Sequence, residues 1–271
     1  MTLIRKPAVA GMFYPAKKEK LRELITELLE SSKGDEKIEN IFGIIAPHAG
    51  YLYSGKTAAA AYNLISGTIY KTVVVISPSH REYFPGASIY NGDFYQTPLG
   101  DIPIDKELSA KILDGSKFIF EGAEGHRQEH ALEVQLPFLQ TVLGDFSLVP
   151  MVMGNQGAKF IDDIAQQISK VVNEDFLIVA SSDLSHFHSK EEAVRLDSII
   201  VDKINAFDYD GLMTAIDRKN CEACGGGPII AMMKTAAMKN RKHSRVVARC
   251  DSGDVTGDSS EVVGYLSAVI Y

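Results

Sequence analysis

Cysteine is scarce in this sequence: three residues, Cys221, Cys224 and Cys250, in a chain of 271. So few thiols in so long a chain do not make a disulfide framework, and the simplest expectation is a cytoplasmic protein with reduced thiols. Long apolar runs are missing as well. None reaches the ~18 residues that a membrane span requires. The N-terminal MTLIRKPAVAGMFYPAKKEK lacks the uninterrupted apolar stretch of a signal peptide. Positive charge is in deficit, with a net charge of −7 and both signs mixed throughout. Without a basic stripe to meet a phosphate backbone, no nucleic-acid partner is expected. Low-complexity tracts and long linkers are also lacking, which predicts a single domain over residues 1–271.

What is present is alternation between helical and strand patterns. Leu21, Leu24, Ile25, Leu28 and Leu29 recur at helical spacing within 17–32, and Gly34 supplies a stop. Buried strands are expected at 41–46, 72–77, 148–153 and 176–180, and closing strands at 245–248 and 262–270. Helices are expected after the loop 49–55, at 106–113, at 129–143 with a kink at Pro137, and at 158–172. Three more are expected at 191–206, 210–218 and 228–239. The Gly- and Pro-rich segment 85–104 reads as short strands and turns. This order predicts an α/β fold, with a central, mostly parallel sheet flanked by helices on both faces.

Ligands of open α/β sheets sit beyond the carboxyl ends of the strands. Here three apolar runs end in chemistry-bearing residues. IIAPH places His48 after one strand, VVVISPSH places His80 after the next, and FLIVASSDLSHFH delivers Asp183, His186 and His188. A single histidine after a strand is more often a turn residue. Three strand ends of one design point to a shared metal or acid–base site.

The segment CEACGGGPII holds Cys221 and Cys224 in C-x-x-C spacing, without the second ligand pair of a structural zinc site or a thioredoxin-like context. Three glycines follow Cys224 and a helix begins at Pro228, so a helix N-terminus would stabilise a thiolate there. Both cysteines could equally be small buried residues. His130 and Glu133, three apart, can share a helix face with Glu129 nearby, or simply mark a helix start. Met232, Met233, Met238 and Cys250 read as core, and His243 as solvated. His126 lies in a polar loop without an assigned role, and 252–267 opens as a Gly/Ser/Asp loop.

Taken together, RKPAVAGMFYPAKKEKL, IIAPHAGYLYSG, ISPSH, EHALEVQLPFLQ, ASSDLSHF, CGGGPI and SGDVTGD resemble the Memo family nearly end to end, the last stretch looking more like its prokaryotic branch. The resemblance implies a fold similar to the class III extradiol, LigB-type dioxygenases, which use non-haem iron. It implies a pocket at one end of the sheet in which His48, His80 and Cys224 hold one metal ion, whether iron, copper or zinc. Asp183 and His186 fall on the nearby D-x-x-H motif, and with Cys224 they are the candidate catalytic groups, His186 acting as a second-sphere acid–base group oriented by Asp183. His130, Glu133 and His188 are candidates for lining the substrate pocket. The dioxygenases complete their iron site with a carboxylate. A thiolate in that place is softer and suits Cu(I), zinc or an altered iron site. Animal members imply a phosphotyrosine-peptide ligand, so a small molecule or a peptide is the expected occupant. Prokaryotic members imply a functional link to a radical-SAM protein. Three readings stay open: a dioxygenase-like redox metalloenzyme, a binding module that keeps the pocket, and a metal-free Cys–His enzyme.

Overall fold

Val73 and Val75 enter one hydrophobic core, and Val74 and Ile76 enter another. This period of two is what a strand does when both faces of its sheet are covered. The computed structural model describes residues 2–34 and 37–271. Strand β1 (Ile4–Arg5) and helix α1 (Lys18–Ser31) lead into β2 (Gly43–Ala46), α2 (Tyr51–Ile65) and β3 (Thr72–Pro78). Strands β4 (Ala87–Tyr90), β5 (Phe94–Thr97) and β6 (Gly100–Pro103) precede α3 (Lys106–Leu113) and β7 (Ile119–Gly122). A 3₁₀ turn (Glu133–Gln135) runs into α4 (Leu136–Leu143), followed by β8 (Ser147–Met153), α5 (Ala158–Val171), β9 (Phe176–Ser181) and β10 (His186–His188). Helices α6 (Lys190–Asn205), α7 (Tyr209–Asp217) and α8 (Gly226–Met238) come next, then β11 (Ser244–Asp251), the single turn α9 (Gly253–Thr256) and β12 (Val262–Ile270).

Among the described residues the main sheet has nine strands in the order β10-β12-β2-β9-β3-β8-β4-β7, with β11 also paired to β12. Its centre, β2-β9-β3-β8, is parallel. Strands β12 and β4 flank that centre antiparallel. Residues of α1, α2 and α4 pack into the core on one face, and residues of α3, α5, α6, α7 and α8 into the core on the other. A separate small sheet joins β1, β5 and β6. The expected α/β class is therefore the observed one. Since β2, β9 and β3 are adjacent and parallel, the three strand ends singled out in the sequence emerge side by side at one edge.

Several local expectations are corrected. The segment 129–143 is not one kinked helix: residues 129–132 are irregular and turn, and Pro137 sits in the first turn of α4, where its missing N–H costs nothing. The loop after β2 is shorter than expected because α2 already begins at Tyr51. The stretch 252–267 contains α9, closed by Gly257 in the left-handed region (φ 76°). Met238 is exposed at the end of α8 rather than core. His126 is fully buried, its Nδ1 3.0 Å from Tyr95 Oη and its Nε2 3.3 Å from Ser88 O. Cys250 is half-buried beside Thr57, its Sγ 2.8 Å from Thr57 Oγ1.

Candidate metal centre

The site begins where the parallel strands run out. Beyond β2, Pro47 breaks the strand and His48 turns inward, fully buried. Beyond β3, His80 lies on the more exposed side. Beyond β9, between the other two, Asp183 is buried. Cys224 arrives from the N-terminal side of α8. A Cβ on Gly225 would stand 2.1 Å from Ser181 O, so only glycine lets that helix end reach the end of β9 and bring Cys224 with it.

The donor atoms of His48, His80 and Cys224 all lie within 4.8 Å of one another. His48 Nε2 is 3.2 Å from Cys224 Sγ. Two donors of a tetrahedral ion with ordinary nitrogen and sulfur bond lengths stand about 3.5 Å apart, so the set fits one ion after small side-chain movements. The Nδ1 edges of both histidines are engaged elsewhere, at Ser181 Oγ (2.8 Å) for His48 and at Glu129 Oε1 (2.9 Å) for His80. This leaves each Nε2 for the site.

Asp183 does not orient His186 as expected. Its Oδ1 accepts the backbone N–H of His48 at 2.7 Å, and its Oδ2 stands 3.9 Å from His48 Nε2. His186 Nδ1 instead donates to Leu184 O at 2.8 Å. His186 is the first residue of β10, which pairs antiparallel with β12, and its imidazole still acts electrostatically on Asp183 and His48. Phe187 is held there in the left-handed region (φ 60°), a costly conformation for an aromatic residue.

His130 joins the cluster, its ring stacked on His80 at 4.7 Å, 5.5 Å from His48 and 4.8 Å from Phe13. Glu133 does not. It is fully buried, and its carboxylate is consumed by Arg5, Tyr14 and the backbone N–H groups of Ala8 and Val9. The structure thus corrects Glu133 from pocket lining to an anchor for the N-terminal segment. His188 also lies outside the cluster, 3.0 Å from Glu222.

Electrostatics follow from burial. Desolvation, then the neighbouring His80, holds His48 well below the ordinary histidine range. Burial and His48 bring His130 down to about 4. Burial raises Asp183, opposed by the N–H of His48. Glu129 goes the other way: burial favours its neutral form, but His80 and the N–H groups of Ala131 and His80 outweigh it, bringing it to about 2. Cys224 departs from expectation. Burial, then the Asp183 carboxylate, pushes its thiol up rather than down. Hydrogen bonds from the Asp183 N–H, the Ser182 hydroxyl and the Gly225 N–H oppose this rise, but burial outweighs them. The Asp183 N–H and His48 Nε2 each stand 3.2 Å from the sulfur.

Ser181 and Gln135, which also contact the site, are not singled out by the sequence, and Glu129 is singled out there only beside His130 and Glu133. Glu129 directly precedes His130 and could have been read as an orienting carboxylate. Ser181 and Gln135 carry no local signal.

The family profile described as Memo-like protein matches residues 5–269. This chain belongs to the Memo family. Relatives in the family include MEMO1 family proteins from Thermoplasma volcanium, 37% identical with 98% of both chains covered, and from Methanobrevibacter smithii, 36% identical with 98% and 99% covered. A relative from Thermotoga maritima is 34% identical over 98% of this chain and 99% of its own. Among solved structures, an uncharacterized protein from Escherichia coli K12 superposes with a TM-score of 0.57 at 13% identity, covering 84% of this chain and 99% of that one, a likeness of fold alone. As a Memo-like chain this protein has, among the described residues, no helix long and apolar enough to cross a membrane.

Proposed function

We propose that this Memo-family protein binds one metal ion through His48 Nε2, His80 Nε2 and Cys224 Sγ, and that the site is reactive rather than structural. The observation that carries this reading is the convergence of three donors of compatible softness from β2, β3 and the start of α8 within 4.8 Å. Three protein donors leave a position open, and His80 faces the exposed side. A bound iron or copper would supply one-electron chemistry there, and zinc would supply Lewis acidity. Asp183, raised by burial and 3.9 Å from His48 Nε2, is the group that holds or releases a proton at the site. His130, stacked on His80 and held neutral, closes one wall against a small-molecule or peptide ligand. His186, whose Nδ1 is engaged by Leu184 O, serves through Nε2 as an outer acid–base group.

A metal-free Cys–His nucleophile is the weaker reading. The 3.2 Å contact of His48 with Cys224 has suitable geometry, but burial favours neutral thiol and neutral imidazole over the ion pair such chemistry needs. The test is elemental analysis of protein purified without chelator and dialysed against a weak one. His48→Ala and Cys224→Ser should lose the ion, and His186→Ala should keep it. Equal retention in all three, or no metal in the parent protein after incubation with iron, copper and zinc in turn, would remove the metal reading.

A further inference from the structure

The Nδ1 edge of His48 faces a buried polar chain. Ser181 Oγ lies 2.8 Å from His48 Nδ1, 2.8 Å from Gln135 Nε2 and 2.7 Å from Ala131 O. Gln135 Nε2 also lies 3.0 Å from Pro47 O, and Gln135 Oε1 lies 2.7 Å from Tyr62 Oη. His48, Tyr62, Gln135 and Ser181 are all buried, so each polar atom has to be satisfied within the chain.

The hydrogens can then be counted. Carbonyl oxygens only accept. Pro47 O therefore requires the amide nitrogen of Gln135 on its side, which turns the amide oxygen to Tyr62 and leaves the second N–H for Ser181. Ala131 O has no hydrogen to give, so the 2.7 Å contact takes the single hydroxyl hydrogen of Ser181. Both lone pairs of Ser181 are left to accept, one from Gln135 and one from His48. The His48 ring is the one member free to choose, and a hydrogen on its Nδ1 satisfies every atom. With the hydrogen on Nε2 instead, either Ser181 and Ala131 O or Ser181 and His48 Nδ1 would face each other as two acceptors at under 3 Å.

We infer that Ser181, kept an acceptor by Ala131 O and Gln135, fixes His48 as its Nδ1–H tautomer and so turns the Nε2 lone pair toward Cys224. Ser181 is a positioning residue. His80 and His186 reach the same tautomer by other means, through Glu129 and Leu184 O. The consequence for metal affinity rests on the proposed ligand role of His48, whereas the tautomer itself does not.

The experiment is therefore done first without metal. In metal-free protein labelled with ¹⁵N-histidine, long-range ¹H–¹⁵N correlation separates protonated from bare ring nitrogens, and the His48 signals are identified by their loss in His48→Gln. The parent protein should show His48 protonated at Nδ1 and bare at Nε2. Ser181→Ala should move it toward Nε2–H while the other histidine signals stay in place, and Ser181→Thr, which keeps the hydroxyl, should restore Nδ1–H. Zinc affinity, measured by chelator competition, should fall 10–100-fold in Ser181→Ala and recover in Ser181→Thr. An Nε2–H tautomer in the parent protein overturns the inference even if no variant folds, and an unchanged Nδ1–H in a folded Ser181→Ala does so too. A tautomer that moves with no change in zinc affinity upholds the inference and removes His48 from the proposed ligand set.

Discussion

Glu129 Oε1 stands 2.9 Å from His80 Nδ1, and Oε2 of the same carboxylate accepts the backbone N–H of His80 at 2.5 Å. One buried side chain thus fixes both the ring and the main chain of a candidate ligand. It also accepts the N–H groups of His130 and Ala131, each at 2.9 Å, so a carboxylate with no hydrogen of its own is the group that fits. Such outer partners fix tautomer and raise ligand basicity. Glu129→Gln puts an amide N–H against one of these donors. Zinc affinity is expected to drop roughly 10–100-fold, read by competition with a chromophoric chelator. An affinity equal to that of the parent protein would show that Glu129 does not act through His80.

Metal uptake should release a proton. Burial keeps the Cys224 thiol protonated at neutral pH, and only the thiolate ligates. Titration calorimetry with zinc at pH 7, in two buffers of different ionisation enthalpy, should report about one proton released per ion. Cys224→Ser should bind weakly and release none. Zero release from the parent protein would mean that the thiolate is already formed, and that the helix N-terminus outweighs burial after all.

Acid should weaken the fold from pH 6.5 downward. His126 is lowered to about 3 by burial, His130 to about 4, and His48 lies well below its ordinary value. Each is neutral when folded and takes up a proton near pH 6.5 when unfolded. The unfolded chain therefore binds more protons below that pH, and stability is lost as pH falls toward the folded-state values. Asp183, raised by burial, acts in the opposite sense, so a single-residue comparison is needed. Between pH 5.5 and 4.5, His126→Asn should flatten the dependence of unfolding free energy on pH by about 1.4 kcal/mol per unit. Denaturant curves of parent and variant that stay parallel across this window would refute the assignment.

Glu133 should be a stability residue. It is fully buried against Arg5, and removing one partner of a buried ion pair strands the other charge. Glu133→Ala is expected to cost about 3–5 kcal/mol in urea unfolding. Zinc stoichiometry should be retained at temperatures where the variant is folded. A variant of parent-like stability that loses its zinc would return Glu133 to the pocket.

Much of this architecture is local and so was legible along the chain. Strands β2, β3 and β9 announce themselves as apolar runs because both faces are buried, and the histidines after them stand at the strand ends because a parallel sheet presents all its carboxyl ends on one edge. His48 and His80 stand out at strand ends, Cys224 stands out before its glycines and helix start, and the family resemblance joins the three as one ligand set. Tertiary structure decided the partners. His130 and Glu133 look alike in sequence, three residues apart. One ring faces the site, and the other residue's carboxylate is taken by Arg5 and the backbone of Ala8 and Val9, more than a hundred positions away. Asp183 precedes His186 by three residues yet bonds to His48, while His186 opens β10, which pairs with β12. The state of Cys224 is likewise decided by tertiary structure. A helix N-terminus is visible in sequence, but desolvation depends on everything folded around the sulfur, and here it is the larger effect.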